Sequence, residues 1–454
     1  MNFLRGLRRL WRHPLFRKLV AVRIATQASD GTLQIGMAAY VLFSPQEQPD
    51  AASIALVLAI TLLPFSIVGP FVSLTLDRWH RRQVAVVTDA IRVGIAIMLG
   101  LLVLNPGLRE HWTMWLFYAG VLVAMSLNRY LLAGLSAALP HTVDEDEYLL
   151  ASSVMPTIGP AGVMIGAGVA FGIRFGTGSF LQSYQADALV FATAAAGFAL
   201  TVLLALRIPK AALGPDLTTM ESRTTRTSEV LKGLVHAVGH LRERKPAGIG
   251  LITIGVQRIL YGMTQVATIL MFRNWFHRVD QVDAAMADIG LWAGATGAGF
   301  IASAAVVPPL ARRVGVRRSI VVVLIAAGVL QIVPGSIFSL WPLVIAGFGL
   351  GVCSQSLKIC VDTLVQAHVD DDFKGRVFTL YDMIFNACFV IAACLAALLL
   401  PADGHTLIGF VTLGVLLALT GVLFWFGTRR IGSATFDRGT EFEQATADGT
   451  PIRP

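Results

Sequence analysis

Residues 405–428 read HTLIGFVTLGVLLALTGVLFWFGT and contain no Asp, Glu, Lys or Arg. A helix needs about 20 apolar residues to cross the roughly 30 Å hydrocarbon core of a bilayer, so this stretch is long enough to span it. The chain has 454 residues, of which 55% are hydrophobic and 14% are charged, whereas a soluble domain is about 25% charged. This composition excludes a soluble cytosolic enzyme and indicates a membrane protein.

Eleven further stretches have the length and character of membrane spans. We therefore predict an all-α membrane protein with twelve transmembrane helices. The predicted helices are 19–43, 52–76, 83–104, 112–139, 149–173, 186–207, 247–272, 284–310, 318–340, 342–367, 376–400 and 405–428.

The one long polar stretch, residues 208–246, divides these helices six and six. We predict an N-terminal six-helix bundle at 1–207, a linker at 208–246, a C-terminal six-helix bundle at 247–430 and a tail at 431–454. Within the linker, Val230, Leu234, Val238 and Leu241 recur at helical spacing, which predicts an amphipathic helix on the membrane surface. An ordinary solvated linker is the alternative.

Basic residues predict the orientation of the chain. The loops and termini on one side carry 26 Lys and Arg residues, and the opposite loops carry only Arg109, Arg174, Arg273 and Arg278. Because loops rich in Lys and Arg stay in the cytoplasm, we predict that both termini are cytoplasmic and that the protein is a multi-pass protein of the inner or plasma membrane.

Features of the first half recur about 228 residues later. Trp112 and Arg129 are matched by Trp341 and Lys358, and Asp30 is matched in position by Arg258. Repetition at this offset predicts two pseudo-symmetric bundles, the arrangement of parallel-repeat transporters, which bind substrate near the bilayer midplane.

Charged residues inside predicted helices are the candidates for function, because a charge at mid-bilayer costs roughly 2.5–3.5 kcal/mol on insertion scales. On the first helix, Gln34 lies four residues beyond Asp30, on the same helical face. We expect these side chains to line one aqueous cavity if the two halves pack face to face. The candidate substrate-binding residues are Arg129, Arg258, Lys358, Asp362, Gln34, Tyr261 and Gln265, and the candidate proton-coupling pair is Asp30 with Arg258.

A purely structural role is the alternative for two of these pairs. Lys358 and Asp362 stand one helical turn apart and can neutralise each other, and Asp30 with Arg258 can do the same. Asp89 and Arg92, near the cytoplasmic end of the third helix, are expected to snorkel or to pair structurally.

Several function classes are excluded or disfavoured. The basic residues flank apolar spans, so no nucleic-acid partner is expected. The four cysteines lack the spacing of a zinc site or a disulfide framework, and the histidines lack metal-ligand spacing, so no metal and no cofactor are expected. No lysine follows a glycine, so a Walker A loop is missing, and no G-x-S-x-G nucleophile elbow occurs. We predict that the protein is not an enzyme.

The segment between the second and third predicted helices reads GPFVSLTLDRWHRR, residues 69–82. It resembles the cytoplasmic loop signature G-x-x-x-D-R-x-G-R-R of the major facilitator superfamily, with Ser73 and His80 in place of its glycines. The resemblance, which covers nearly the whole chain, implies that the acidic and basic positions brace the cytoplasmic gate. These gating positions are Asp77, Arg78, Arg81 and Arg82, and the corresponding loop of the second half, residues 312–318, has no acid.

Three shorter stretches resemble one branch of that superfamily. Ser29-Asp30-Gly31 and residues 374–377 look like the branch that holds macrolide, siderophore and general drug exporters, and also resemble lysophospholipid-transporting relatives. The fifth helix, with Gly162, Gly166 and Gly168, partly resembles the glycine-proline motif of antiporters. Close helix packing through small residues is the alternative explanation of these glycines.

We predict a proton-coupled secondary transporter that exports an amphiphilic, anionic small molecule by alternating access, as an antiporter of the multidrug efflux kind and as a monomer. The candidate charges Asp30 and Asp362, against Arg129, Arg258 and Lys358, leave the predicted cavity at +1, which favours an anion. Lysophospholipid or lipid flipping, nutrient import and a non-transporting membrane receptor remain open. The substrate, the direction and the proton stoichiometry do not follow from the sequence.

Overall fold

The computed structural model describes residues 8–42, 51–67, 71, 79–105, 111–144, 147–177, 180–214, 227–278 and 281–438. The gating residues Asp77 and Arg78, the end of the second predicted helix, residues 215–226 of the linker and the tail after residue 438 lie outside these ranges.

The described residues form α-helices, with one short 3-10 helix and one π-helical turn, and contain no β-strand. The helices of the first half are α1 (Pro14–Leu42), α2 (Ala51–Ile67), α3 (Arg81–Leu104), α4 (His111–Ala138), α5 (Tyr148–Thr177) and α6 (Ser183–Leu206). Those that follow are α7 (Thr227–Glu243), α8 (Lys245–Leu270), α9 (Val282–Ile332), α10 (Leu340–His368), α11 (Asp371–Leu399), α12 (Leu407–Thr428) and α13 (Ser433–Asp437).

Most of the described part of each predicted span lies in one of these helices. The 51-residue α9 contains two predicted spans, 284–310 and 318–340. Gly315, with φ of 81°, interrupts the helix between them. Eight described helices are long and apolar enough to cross a membrane. The prediction of an all-α membrane protein is confirmed. α1 and α8 are not among those eight, and these are the helices that carry Asp30 and Arg258.

The chain divides into two compact units, the first made of Met1–Ser44 and Ala59–Val230 and the second of Pro45–Leu58 and Leu231–Pro454. In the first unit, α1 packs against α5 and α6, and α3 packs against α4 and α6. In the second unit, α8 packs against α11 and α12, and α9 packs against α10 and α12. The same pairs of helices therefore meet within each unit, as a duplicated bundle requires.

The linker helix α7 is attached to the start of α11 by polar and aromatic contacts. Arg244 donates two hydrogen bonds to Asp370, at 2.6 and 2.8 Å, and His240 stacks on Phe373 with the ring centroids 4.4 Å apart. The hydrogen bonds from Arg244 lower the pKa of Asp370, and the same bonds raise the pKa of Arg244. A lowered carboxyl pKa means that the attachment persists as the pH falls, until Asp370 is protonated.

Candidate functional site

Asp30 belongs to a fully buried charged cluster in the first unit. Arg92 of α3 forms ion pairs with Asp30 of α1 and with Asp89 of its own helix, the latter at 2.9 Å, and all three residues are 0% exposed. Arg92 also donates to the Thr26 hydroxyl at 3.1 Å, and Thr26 donates to Asp89 at 3.2 Å. The guanidinium carbon of Arg92 lies 4.0 Å from the centroid of the Phe198 ring.

This geometry bears on two expectations from the sequence. Within the first unit, the ion-pair partner of Asp30 is Arg92, which the sequence did not indicate, and the pair of Asp30 with Arg258 stays a prediction. Of the two alternatives for Asp89 and Arg92, the structure shows the ion pair, at 2.9 Å, and both side chains are completely buried. Because Asp89 and Arg92 lie three residues apart in an apolar helix, their pairing could be expected from the sequence of that helix. The third residue of the cluster, Asp30, comes from α1, and the sequence of α3 does not indicate it.

The charge of the cluster depends on a single proton. Two carboxylates against one guanidinium leave a net charge of −1 when both acids are ionised, and binding one proton makes the cluster neutral. A group of this composition, inside membrane-spanning helices, is chemically able to take up and release one proton.

The other candidate residues of the first unit lie outside this cluster. Gln34 is half-buried on α1. Arg129 is half-buried on α4, next to Asn128, which is buried. Arg23 of α1 is buried and donates to the Ser136 hydroxyl at 3.4 Å.

Arg258 lies in an aromatic setting in the second unit. Its guanidinium carbon is 3.8 Å from the centroid of the Phe385 ring and 4.6 Å from that of Phe389, both on α11. The Tyr261 ring, one turn along α8, lies 5.9 Å away. Ring faces attract a cation within about 6 Å, so these rings hold the charge of Arg258 without neutralising it.

Lys358 of α10 shares the Phe385 ring with Arg258 and pairs with Asp362 on its own helix. The Lys358 ammonium donates to Asp362 at 2.7 Å, and the two side chains are 30% and 28% exposed. The ammonium also lies 5.1 Å from the Tyr381 ring and 5.7 Å from the Phe385 ring. We call Arg258, Lys358, Asp362, Tyr381 and Phe385 the cationic aromatic site.

The cationic aromatic site has two cations and one carboxylate, which gives a net charge of +1. Tyr381 and Phe385 were missed in the sequence. Their signal was the spacing of Tyr381, Phe385 and Phe389 by four residues, which places the three rings on one face of α11.

Gln265 of α8 lines a small cavity. With Tyr261, Thr264 and Gln331 it borders a void of about 10 Å³, the size of one water molecule. In this structure the space beside Gln265 is therefore water-sized.

The described gating arginines bind backbone carbonyls within the first unit, Arg82 at the end of α6 and Arg81 in the segment that follows it. Arg81 donates to the Leu213 carbonyl at 3.1 Å, and Arg82 donates to the Leu206 carbonyl at 3.3 Å. A cation at the C-terminus of a helix is favourable because the last carbonyls lack intrahelical partners.

The corresponding turn of the second half obtains its acid from far along the chain. Asp437 of α13 accepts a hydrogen bond from the backbone N–H of Val316 at 2.7 Å. The buried Arg317 donates to the Trp425 carbonyl at 2.9 Å and to the Thr428 hydroxyl at 2.8 Å. The acid missing from residues 312–318 is thus replaced by a residue that loop spacing alone does not identify.

Within the described ranges, three potential metal ligands come together, namely His13, Asp144 and Glu147, with ligand atoms within 4.8 Å of one another. His13 Nε2 is hydrogen bonded to Glu147 Oε2 at 2.7 Å. This hydrogen bond joins the residue before α1 to the turn before α5.

The Major Facilitator Superfamily profile matches residues 259–452. An uncharacterized MFS-type transporter of Mycobacterium bovis is 31% identical over 411 residues, which cover 90% of this chain and 90% of the relative, and one of Mycobacterium tuberculosis gives the same values. Among solved structures, the nucleoside transporter NupG aligns with a TM-score of 0.64 at 13% identity, over 92% of this chain and 99% of that chain. The peptide transporter POT in complex with sulfate aligns with a TM-score of 0.64 at 14% identity, over 92% and 94%. At these identities the two structures show the fold alone.

Proposed function

Since the chain belongs to the major facilitator superfamily and is a multi-pass membrane transporter of that type, we propose that it exports amphiphilic, anionic small molecules in exchange for protons. It acts as a monomeric secondary transporter, by alternating access, in the cell membrane with both termini in the cytoplasm. The resemblance of Ser29-Asp30-Gly31 and residues 374–377 to the efflux branch supports this proposal.

The cationic aromatic site is the observation that carries the proposal. Arg258 and Lys358 are opposed by one carboxylate, Asp362, so the site favours a substrate with a carboxylate, phosphate or catecholate. The faces of Tyr381 and Phe385 are apolar, which suits the rest of an amphiphile. Arg129 of the first unit is a further candidate for the anionic group, and Gln34 and Gln265 are proposed to contact polar parts of the substrate.

We assign proton coupling to the buried cluster of Asp30, Asp89 and Arg92. Loading one proton neutralises the cluster, and releasing that proton restores its charge of −1. Asp30 is the proposed proton carrier because it lies on α1, which also carries the polar residues Gln27 and Gln34. The gating role of Asp77, Arg78, Arg81 and Arg82 is proposed from the loop signature alone.

The decisive experiment is flux in proteoliposomes with an imposed pH gradient. We expect Asp30→Asn to lose gradient-driven transport of an anionic amphiphile, down to the level of empty liposomes, because the neutral amide does not bind the proton. Substrate exchange without a gradient should persist. Asp187→Asn is the matched control, since it removes the carboxylate of a buried ion pair with Arg174 outside this cluster, and it should retain the gradient response. Full proton-driven transport by Asp30→Asn would refute the coupling role.

A second experiment tests the charge of the cationic aromatic site. Lys358→Gln should weaken binding of an anionic substrate by roughly tenfold, the effect of losing one charge-assisted hydrogen bond. Binding of a cationic dye should be unchanged or stronger, because the same change leaves the Asp362 carboxylate unpaired and able to attract a cation. Lys232→Gln, at an exposed position on α7, serves as the control. Equal losses for the anion and the dye would contradict the assignment.

Translocation of a lysophospholipid is the second candidate function. It is favoured by the closeness of opposite charges at this site, because a zwitterionic headgroup offers a phosphate to Lys358 and an ammonium to Asp362 and the rings of Tyr381 and Phe385. A fluorescent lysophospholipid that reaches the opposite leaflet in proteoliposomes, while a soluble anionic amphiphile does not cross, would favour this function over small-molecule export.

A further inference from the structure

A long apolar groove runs along the second unit, apart from the cationic aromatic site. It has a volume of about 570 Å³ and lies between the linker helix α7 and the helices α8 and α11. Its walls are formed by aliphatic side chains, among them Val238, Ile252, Val256, Leu380 and Ile384. The volume falls within the range of roughly 300–1,000 Å³ that is typical of sites for small organic ligands.

Exposed aliphatic side chains flank the groove. Ile252 is 70% exposed and Val256 is 39% exposed on α8, which covers most of the predicted membrane span 247–272. In a membrane, exposed aliphatic residues on such a helix contact lipid tails, because the polar groups of the helix backbone are already hydrogen bonded within the helix. The wall of the groove therefore selects a hydrocarbon chain as its occupant.

The groove also has a basic end. Arg242 and Lys245, at the junction of α7 and α8, are exposed and belong to its lining. Neither forms an ion pair with a described residue, whereas Arg244 between them is bound to Asp370. Glu243 is exposed and is not part of the lining. Two cations at one end of a hydrocarbon-lined groove match a molecule with an anionic head and an apolar tail.

We propose that this groove binds an anionic phospholipid of the surrounding bilayer. The phosphate lies between Arg242 and Lys245, and an acyl chain follows α8 and α11. Basic residues at the membrane surface attract anionic lipids by about 1 kcal/mol each. The lipid would hold α7 against α8 and α11 in addition to the contact of Arg244 with Asp370. This site is separate from the transported substrate and does not depend on what that substrate is.

The test uses the purified full chain in vesicles of phosphatidylcholine that contain a trace of phosphatidylglycerol with a photoreactive diazirine on its acyl chain. After illumination, we expect labelled peptides from residues 249–259 or 380–388. Unlabelled phosphatidylglycerol should compete and unlabelled phosphatidylcholine should not. The double variant Arg242→Gln, Lys245→Gln should lower the labelling by roughly tenfold or more, since two attractions are lost.

Lys232→Gln is the matched control, because it removes an exposed cation of α7 that does not line the groove. It should leave the labelling unchanged. Monodisperse elution of each variant in detergent establishes that the surface changes have not unfolded the chain. Equal labelling with a phosphatidylcholine probe, labels outside α8 and α11, or undiminished labelling of the double variant would overturn the proposal. Equal loss in Lys232→Gln would show a general attraction to the membrane surface and would overturn it as well.

Discussion

Arg92→Met is expected to prevent the first unit from folding stably. The change removes the cation that two completely buried carboxylates share, Asp30 and Asp89. Removing one partner from a buried ion pair costs about 3–5 kcal/mol because the remaining charge is left uncompensated. This is a large share of the total stability of a protein, about 5–15 kcal/mol. The yield of monodisperse protein and its melting temperature in detergent measure the effect.

Removing all three charges of the cluster together should restore the stability of the protein. The triple variant Asp30→Asn, Asp89→Asn, Arg92→Met has no buried charge at this place, so it should recover most of the lost stability even though transport is lost. Arg430→Gln, which changes an exposed arginine, should melt like the unmodified protein. If Arg92→Met melted at the unmodified temperature, the ion pairs would contribute nothing to stability.

The fold followed from the sequence because the membrane imposes a strong pattern. Each span needs about 20 predominantly apolar residues, and such a run can be recognised in the sequence of one helix alone. A break between residues 310 and 318 was predicted from the span boundaries, and Gly315 with φ of 81° lies at that break. The repeat was visible because Asp30 and Arg258, or Arg129 and Lys358, occupy matching positions in the two halves.

The partners of the buried charges did not follow from the sequence. Asp30 lies 62 residues before Arg92, and Arg258 lies 127 residues before Phe385. Such contacts depend on which helices pack and on how each helix is rotated about its axis, and an apolar helix gives little indication of its rotation. The pair of Lys358 and Asp362 was predicted because both members share one helix and lie one turn apart.

The glycines of α5 raised two interpretations in the sequence, an antiporter motif and close helix packing. Gly166 lies against the Ala28 carbonyl of α1, and a Cβ at this position would overlap that backbone oxygen. The Thr32 hydroxyl also donates to the Gly166 carbonyl at 3.0 Å. Gly162 is similarly placed, with a Cβ 2.8 Å from that of Gln27. Close packing of α1 on α5 therefore explains Gly162 and Gly166, whereas Gly168 has no atom near its Cβ position.

This difference predicts opposite effects for the same substitution two residues apart. Gly168→Ala should leave the melting temperature unchanged or raise it, since Ala is favoured over Gly inside a helix by about 1 kcal/mol. Gly166→Ala should lower it clearly, because backbone atoms cannot yield as a flexible side chain does, and overpacking costs about 1–3 kcal/mol.

Thermal unfolding of the two variants in the same detergent shows whether the glycines of α5 serve helix packing or transport alone. Both changes add one methyl group to the same helix, so helix propensity and hydrophobicity cancel in the comparison. The expected order is Gly166→Ala below the unmodified protein and Gly168→Ala at or above it. If the two variants had the same melting temperature, the contact of Gly166 with Ala28 would not be what holds α5 against α1.

Because α1 carries Asp30, a shift of α1 away from α5 also moves the Asp30 carboxylate relative to Arg92. We therefore expect Gly166→Ala to weaken proton-driven flux as well as stability.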